Sequence, residues 1–361
     1  MSLTLEQIHE ALRAVTDPET GVSLQSSLKD RDVQSGAEGV RVAIELGYPL
    51  GGRETALARA AEAALQAAGA TSAAVTVSWK VSAHAVQRGL KPLQNVRNII
   101  AVGSGKGGVG KSTTAVNLAL ALAAEGAKVG LLDADIYGPS VPTLLGINGR
   151  PESTDNKTMG PLVGHGLEAN SIGFLIDADS PAIWRGPMVT QALEQLLRQT
   201  NWNDLDYLII DMPPGTGDIA LTLAQKVPVV GAVIVTTPQD IALLDARKGL
   251  RMFQKVDVPV LGVVENMAVH VCSQCGHAEH IFGEGGGQRM AEQYEVPVLG
   301  SLPLALSIRV QSDAGVPVFA AEPQGVAAQA YRQIARRLAA GVAALPRDMS
   351  ARFPSIVVQQ P

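Results

Sequence analysis

Both cysteines of the 361-residue chain lie in one short stretch, VHVCSQCGHAEHIFG, at residues 269–283. Cys272 and Cys275 are separated by two residues, and three histidines flank them: His270, His277 and His280. Thiolates are soft ligands that suit zinc and iron–sulfur clusters. Most such sites need four ligands, so a single CxxC supplies half a site and the other ligands must come from histidines or from another chain.

The cysteine pair is compatible with several chemistries. Cys272, Cys275, His277 and His280 form a possible Cys₂His₂ zinc set within one chain, although the two histidines are closer in sequence than the usual three to five residues. A zinc site built from the cysteines of two chains is a second possibility. Thiol–disulfide exchange is less favoured, because no thioredoxin-like unit places the CxxC at a helix start. Two unliganded thiols on a polar loop are the remaining interpretation.

A second candidate site is the glycine-rich stretch GKGGVGKS at residues 105–112. It fits the P-loop pattern GxxxxGK[ST], follows an apolar run typical of a strand, and opens a helical pattern. We predict that Lys111 reaches the β- and γ-phosphates of ATP and that the Ser112 hydroxyl ligates Mg²⁺. Backbone N–H groups of the loop and of the first helical turn would hold the phosphates; the predicted residues are Gly105, Lys106, Gly107, Gly108, Val109, Gly110, Lys111, Ser112 and Thr113.

Acidic residues follow two further apolar runs. In YLIIDMPPGTGD, Asp211 comes at the end of a predicted buried strand, where a carboxylate next to Mg²⁺ has the Walker B role. Gly215 in the same stretch is predicted to approach the γ-phosphate. In LLDADIYGPS we favour Asp135 over Asp133 as the group that orients the attacking water, with a turn-capping aspartate as the alternative.

The P-loop contains an additional lysine, Lys106. One loop cannot easily direct both Lys106 and Lys111 at the same phosphates. Lys106 is therefore either a solvated surface residue or a group that crosses a dimer interface and neutralises charge on the partner's nucleotide, as an arginine finger does.

Apolar periodicity indicates two structural units. Residues 1–88 read as a small α+β domain, with a helical pattern at the start and two alternating strand patterns around an alanine-rich helix. From residue 96, strands alternate with helices such as 111–125 and 187–199, which predicts a doubly wound, mostly parallel α/β P-loop domain. We place a linker at 89–95, the P-loop domain at 96–345 and a tail at 346–361. Residues 150–166 have loop composition.

Composition limits the possible functions. The chain is 46% hydrophobic and 17% charged, with a net charge of −5 from 29 basic and 34 acidic residues. This balance argues against a nucleic-acid partner. No run of 18 apolar residues is present, and the first helix lacks the basic start of a secretory signal, so we expect a cytoplasmic protein without a membrane partner.

These motifs resemble those of known proteins. KGGVGKS with its early lysine is similar to the deviant-Walker-A ATPases, which include the MinD, ParA and nitrogenase iron-protein types. Within that group, DADIYGPSVP, IWRGPM, LDYLIIDMPPGTGD, TTPQD, ENM, CSQCG and IFGEGGG resemble the Mrp/ApbC iron–sulfur cluster carriers, over nearly all of 96–340. LEQIHEALRAVTDPETG in the first 88 residues resembles the MIP18-type domain. The chain departs from many members in having Ser273, not proline, after the first cysteine.

The resemblance implies an ATP-hydrolysing homodimer that holds a [4Fe–4S] cluster and transfers it from a scaffold or donor protein to apo iron–sulfur proteins. It also implies that Asn266, in ENM, contacts the adenine. A symmetric dimer would supply the four thiolates of the cluster, two each from Cys272 and Cys275. The alternative within the same group is a positioning ATPase of the MinD/ParA type, which would leave the CxxC unexplained.

Overall fold

The structure is a computed structural model that describes residues 3–153, 155, 157–176 and 186–348. Most of the predicted tail, residues 349–361, lies outside this part of the chain, as do residues 183–185 of the IWRGPM motif.

The amino-terminal unit packs two helices on a three-stranded sheet. Its elements are α1 (Leu5–Arg13), β1 (Val33–Gly36), β2 (Gly39–Leu46), α2 (Glu54–Ala67) and β3 (Ala73–Trp79). Helix α1 begins at a capping box in which the Thr4 and Gln7 side chains bond to each other's backbone N–H groups. In β2 every second residue is buried, as the alternating apolar pattern predicts. β2 pairs antiparallel with β1 and parallel with β3.

The larger unit alternates strands and helices. Its strands are β4 (Val96–Gly103), β5 (Val129–Asp133), β6 (Leu162–Gly164), β7 (Leu167–Ser171), β8 (Leu205–Asp211), β9 (Gly231–Thr236), β10 (Val260–Val271), β11 (Ala278–Glu279) and β12 (Val298–Pro303). Its helices are α3 (Lys111–Ala124), α4 (Val141–Leu145), α5 (Gly186–Gln199), α6 (Asp218–Lys226), α7 (Asp240–Lys255), α8 (Gly286–Gln293), α9 (Leu306–Asp313), α10 (Val318–Ala321) and α11 (Val326–Ala343).

These strands form one sheet in the order β11-β10-β9-β4-β8-β5-β7-β6, and β12 pairs with β10 outside that path. The central strands are parallel. Their apolar residues alternate between two cores: in β4, Ile100 and Val102 face the core that contains α3 and α11, whereas Ile99 and Ala101 face the core that contains α5, α6 and α7. Helices therefore cover both faces of the sheet, and the predicted doubly wound α/β fold is confirmed.

Two strands differ from the sequence expectation. Residues 150–166 were expected to be loop, but β6 begins at Leu162 and turns into β7. The turn places His165 and Gly166 at φ values of +50° and +82°, which matches the right-handed twist of a two-residue hairpin. The apolar run VPVLGVVEN predicts a strand that ends at Asn266, but β10 continues to Val271, because its last residues pair with β11.

The amino-terminal unit is docked on the larger one. Apolar residues of both units belong to one continuous core, in which the last helix α11 also takes part. The Glu125 carboxylate, at the carboxyl end of α3, is buried and bonds to Arg336 at 2.8 Å and to Arg332 at 3.1 Å. Arg53 of the amino-terminal unit approaches Glu125 to 3.8 Å, and Glu19 bonds to Arg336 at 3.1 Å. A network of charges thus crosses the contact between the two units.

Within the part of the chain that the structure describes, no helix is long and apolar enough to cross a membrane.

Candidate functional site

The P-loop connects β4 to α3 and adopts the backbone that its glycines allow. Gly108 and Gly110 have φ values of +82° and +81°, which a side chain would disfavour. Gly105 lies against α7, and a Cβ at this position would come within 2.0 Å of the Asp245 backbone. Lys111 and Ser112 are the first residues of α3, and Thr113 follows them in the same turn. The predicted phosphate-binding segment therefore ends at a helix N-terminus, where backbone N–H groups can bind an anion.

Lys111 and Asp211 form a buried ion pair. Lys111 Nζ donates to Asp211 Oδ1 at 2.5 Å, and the side chains are 5% and 0% exposed. Burial raises the pKa of Asp211, and the Lys111 ammonium and the Ser112 hydroxyl oppose that rise. The pair brings the P-loop lysine and the predicted Walker B carboxylate into direct contact, as expected for one nucleotide site.

A second pair of carboxylates stands beside them. Asp133 is opposite Asp211 on the neighbouring strand, and burial together with the Asp211 charge raises the pKa of Asp133 to about 7. Asp135 follows β5 and is half-buried. Burial raises its pKa, and the charge of Lys111 opposes this rise. The structure therefore brings both predicted strand-end aspartates to the P-loop, with Asp135 the more accessible of the two.

The oxygen atoms near Lys111 suit a magnesium ion. Asp211 Oδ2 is buried and has no hydrogen-bond partner among the described residues. The Ser112 hydroxyl lies close by and accepts a hydrogen bond from Lys111 Nζ at 3.2 Å. Hydroxyl and carboxylate oxygens are preferred magnesium ligands, so the residues present fit this ion.

The loop after β8, which contains Gly215, and the P-loop segment around Lys106 lie next to each other at this end of the sheet. Gly215 has a φ of +85°, and its N–H donates to the Ser104 carbonyl at 3.0 Å, which ties the loop after β8 to the P-loop. Lys106, in contrast, is exposed. Its backbone carbonyl accepts a hydrogen bond from the Ser104 hydroxyl at 3.0 Å, so the loop is held while the side chain faces outward.

Asn266 is in contact with the P-loop itself. It is 7% exposed, and its Nδ2 donates to the Val109 carbonyl at 2.8 Å. Its Oδ1 accepts from the Met267 N–H at 2.9 Å. The residue therefore lies against the P-loop, but its amide is bonded to protein backbone, and its contact with adenine stays a prediction.

The cysteines lie on a hairpin at the end of β10. The Cys272 N–H donates to the His277 carbonyl at 2.9 Å, and the Gly276 N–H donates back to the Cys272 carbonyl at 2.9 Å. This tight turn, with Gly276 at a φ of +71°, leaves Cys272 partly exposed and Cys275 exposed. Both thiols are thus free and face outward from a short loop.

The turn also makes Cys272 a better metal ligand. Backbone N–H groups of Gln274 and Cys275, followed by the Cys275 side chain, lower the pKa of Cys272 because they stabilise its thiolate. His280 Nδ1 donates to the Ala268 carbonyl at 2.8 Å, and His277 is exposed. Across the described ranges, no group of three or more His, Cys, Asp or Glu side chains could hold a metal ion. The Cys₂His₂ zinc set within one chain is therefore not assembled in this structure.

Comparison with known proteins extends this picture. The sequence model of the NUBPL iron-transfer P-loop NTPase family matches residues 95–339. The chain belongs to this family. A second model, described as an iron–sulfur cluster assembly protein, matches residues 5–79. The predicted resemblance to the cluster carriers and to their amino-terminal domain is confirmed.

Individual proteins that resemble the chain are iron–sulfur cluster carrier proteins and a nucleotide-binding protein. The chain is 62% identical over 269 residues to an iron–sulfur cluster carrier protein of Pseudomonas fragi, which covers 74% of this chain and 94% of the relative. It is 45% identical over 349 residues to a carrier of the same name from Synechocystis, covering 94% and 98%. A nucleotide-binding protein of Archaeoglobus fulgidus, solved with ADP, is 38% identical, with a TM-score of 0.55 over 61% of this chain and 87% of that one.

Two residues at the NTPase site were missed by sequence reasoning. Ser171, the last residue of β7, donates its hydroxyl to Asp133 at 3.1 Å. It was missed because β7 follows a stretch read as loop. Glu265 is buried and accepts the Gly287 N–H at 2.7 Å, at the start of α8. Its place in the ENM motif, directly before Asn266, was the only available signal.

Proposed function

We propose that the chain is an ATP-hydrolysing carrier that holds a [4Fe–4S] cluster between two copies of itself and transfers it to apo iron–sulfur proteins. The observation that carries this proposal is the exposed hairpin with two free thiols in a member of an iron-transfer NTPase family. Relatives named iron–sulfur cluster carrier proteins support it.

The number of thiols favours a shared cargo. A [4Fe–4S] cluster takes four cysteine ligands, and one chain has Cys272 and Cys275 only. A two-fold axis beside the hairpin would bring four thiols together. A cluster held by two short exposed loops is accessible to a recipient, which suits transfer better than a buried site.

The surface near both sites favours a homodimer. Ile241 and Leu244, on the first turns of α7 beside the P-loop, are 67% and 56% exposed. Val271 and Ile281 flank the cysteine turn and are 53% and 54% exposed. In this proposal, contact between two copies of the chain would cover both pairs of exposed apolar side chains.

The nucleotide chemistry follows from the ion pair and the strand-end carboxylates. In this proposal Lys111 binds the β- and γ-phosphates, and Asp135 orients the water that attacks the γ-phosphate. Ser112 and Asp211 would hold Mg²⁺, which neutralises charge on the phosphates. The raised pKa of Asp135 brings this carboxylate nearer to the range in which a general base works at neutral pH.

The remaining parts of the proposal concern location and partners. A chain with two cysteines, both free of a disulfide bond, is typical of a reducing compartment, so we place the carrier in the cytoplasm. Apo iron–sulfur proteins are the proposed recipients, and a scaffold or donor protein supplies the cluster. A positioning ATPase of the MinD/ParA type would leave the cysteine hairpin without a role.

Anaerobic reconstitution with iron and sulfide tests this function. We expect about four iron and four sulfide per dimer, with loss of both in Cys272→Ala and retention of ADP binding. His277→Ala, in the same exposed turn, is the matched control and should keep the cluster. Loss of iron in both variants would mean that His277 is also needed to hold the metal, and it would contradict a cluster held by the cysteines alone. A metal-free chain that sediments with lipid vesicles or DNA only when ATP is present would support the positioning ATPase.

A further inference from the structure

The Asn266 side chain fills space that Gly110 leaves free. A Cβ added to Gly110 would come within 2.2 Å of Asn266 Nδ2, and Gly110 is also the residue that opens α3 with a φ of +81°. The amide therefore reaches the P-loop backbone itself. Both of its polar groups are used, one on the Val109 carbonyl and one on the Met267 N–H.

This hydrogen bond has a consequence for phosphate binding. In a planar trans peptide the C=O and N–H groups point in opposite directions. Because the Val109 carbonyl is directed at Asn266, the N–H of the same peptide, which belongs to Gly110, is directed away from Asn266. A P-loop binds phosphates through backbone N–H groups, so fixing this peptide plane fixes the direction of one donor.

On its other side, Asn266 adjoins an interruption in β10. Met267 has a φ of +57°, which is rare for a residue with a long side chain. The parallel pairing of β10 with β12 shifts register between Glu265 and Val269. Glu265, immediately before Asn266, is tied to the start of α8 through Gly287. Glu265, Asn266 and Met267 are therefore consecutive residues with an irregular backbone or a specific hydrogen bond, and they lie in β10, before the cysteines.

Beyond the interruption, the chain forms one bonded unit. His280 returns to Ala268, His270 is opposite Glu279, and the two ends of the cysteine turn bond to each other. The base of this hairpin is held to the sheet by Leu304, which bonds to the Val269 carbonyl and to His270 Nδ1. The cysteine hairpin is thus joined to the rest of the sheet through the Leu304 hydrogen bonds and through the segment Asn266–Met267 of β10.

We propose that Asn266 is a positioning residue that links the P-loop to the cysteine hairpin. When a phosphate accepts a hydrogen bond from the Gly110 N–H, the Val109–Gly110 peptide changes its orientation. The Asn266 amide then moves with the Val109 carbonyl to which it is bonded. Met267 transmits the shift to the hairpin that carries Cys272 and Cys275. This inference rests on the proposed function for its purpose, because it gives the carrier a route by which nucleotide changes the exposure of its cargo ligands.

The test uses the reduced, metal-free full-length chain, so it does not depend on which metal the cysteines hold. Alkylation of the two thiols by iodoacetamide is followed with and without saturating Mg-ADP. We expect the wild-type rate to change on nucleotide binding, and the ratio of the two rates to return to one in Asn266→Ala. The Asn266→Asp variant keeps the shape of the side chain and the oxygen that accepts from the Met267 N–H, but it loses the donor to Val109. If the alanine variant does not fold, the ratio of alkylation rates is measured in this variant instead.

A matched control is available in the same sheet. Asn170 is 0% exposed, its Oδ1 accepts from the next residue, Ser171, and its Nδ2 donates to Thr200. Asn170→Ala removes the same kind of side chain from an equally buried strand and should keep the wild-type ratio of alkylation rates. The inference is overturned if the wild-type rate does not respond to Mg-ADP, if Asn266→Ala responds as wild type does, or if Asn170→Ala also loses the response.

Pyrophosphate distinguishes this role from an adenine contact. If Asn266 orients the P-loop, Asn266→Ala weakens binding of ADP and of pyrophosphate alike. The expected loss is about tenfold, because the hydrogen bond from the Gly110 N–H to the charged phosphate is weakened. If Asn266 only contacts the base, ADP binding weakens and pyrophosphate binding is unchanged, which would overturn the proposal. Isothermal titration calorimetry measures both. Failure of cluster reconstitution would sink the proposed function and leave these two measurements intact.

Discussion

Asp133 and Asp211 lie directly opposite each other at the carboxyl ends of β5 and β8, and both side chains are buried. Lys111 pairs with Asp211 only, whereas Asp133 is held by hydrogen bonds from Ser140, Val141, Ser171 and Asp135. Two carboxylates and one ammonium leave this end of the sheet with an excess of negative charge when all three are ionised, which a bound cation would balance.

The first prediction concerns the pH dependence of stability. Burial and the Asp211 charge raise the pKa of Asp133 from 3.8 to about 7 in the folded chain. Between these two values the native state binds more protons than the unfolded state, so the contribution of Asp133 to the free energy of unfolding falls as pH rises. Asp133→Asn removes this titration. In urea denaturation of the nucleotide-free chain, the stability of wild type relative to the variant should fall by up to about 4 kcal/mol from pH 4 to 7. A constant difference across that range would contradict the prediction.

The second prediction separates the two P-loop lysines. Lys111→Ala leaves Asp211 buried without its partner and should cost about 3–5 kcal/mol of stability, together with nucleotide binding. Lys106 is exposed, so Lys106→Ala should change stability by less than about 0.5 kcal/mol and keep ADP binding. If Lys106 acts on the partner's nucleotide, its loss lowers the ATP hydrolysis rate by about a thousandfold.

Mixing the two lysine variants tests the direction of that action. A Lys111→Ala chain has an intact Lys106, and a Lys106→Ala chain has an intact nucleotide site. Activity that reappears in the mixture, measured as phosphate release, requires Lys106 to act across the dimer. A mixture no more active than its components would assign Lys106 to its own subunit or to solvent.

The third prediction concerns the docked amino-terminal unit. Glu125 is the only carboxylate within salt-bridge distance of Arg332 in the described part of the chain, and Arg336 and Arg53 also approach it. Glu125→Ala leaves three buried or half-buried guanidinium groups without it and should cost about 3–5 kcal/mol in urea denaturation. Asp313→Ala, which breaks an exposed pair with Arg309, is the control and should cost less than about 1 kcal/mol. Equal losses of unfolding free energy in both variants would mean that the Glu125 network contributes no more to stability than an exposed ion pair does.

Much of the nucleotide site could be predicted because its signals are local. The P-loop pattern fixes Lys111 and Ser112 within eight residues of Gly105. Asp211 and Asp135 follow apolar strands, and parallel strands place their carboxyl ends along one edge of the sheet. The same periodicity predicts a small α+β fold followed by a doubly wound α/β fold, and the structure has both.

Contacts between distant parts of the chain could not be predicted in this way. Glu125 lies within the alanine-rich stretch LALALAAEGAK, and nothing near it indicates Arg332 or Arg336 as partners. The Asn266 contact with Val109 was also missed, because a side-chain amide identifies a hydrogen-bonding residue and not the carbonyl that it will meet in the fold.

The last helix, α11, has a consequence for how the protein is made. Arg336 bonds to Glu19, Gly47 packs against Ala343, and the Pro346 carbonyl accepts the Ala85 N–H. The surface on which the amino-terminal unit packs is therefore translated after that unit, with most of the P-loop domain between them. Residues of the amino-terminal unit such as Tyr48 and Arg53 are therefore synthesised before the helix that completes their contact surface. The two units can pack fully against each other only after α11 has left the ribosome.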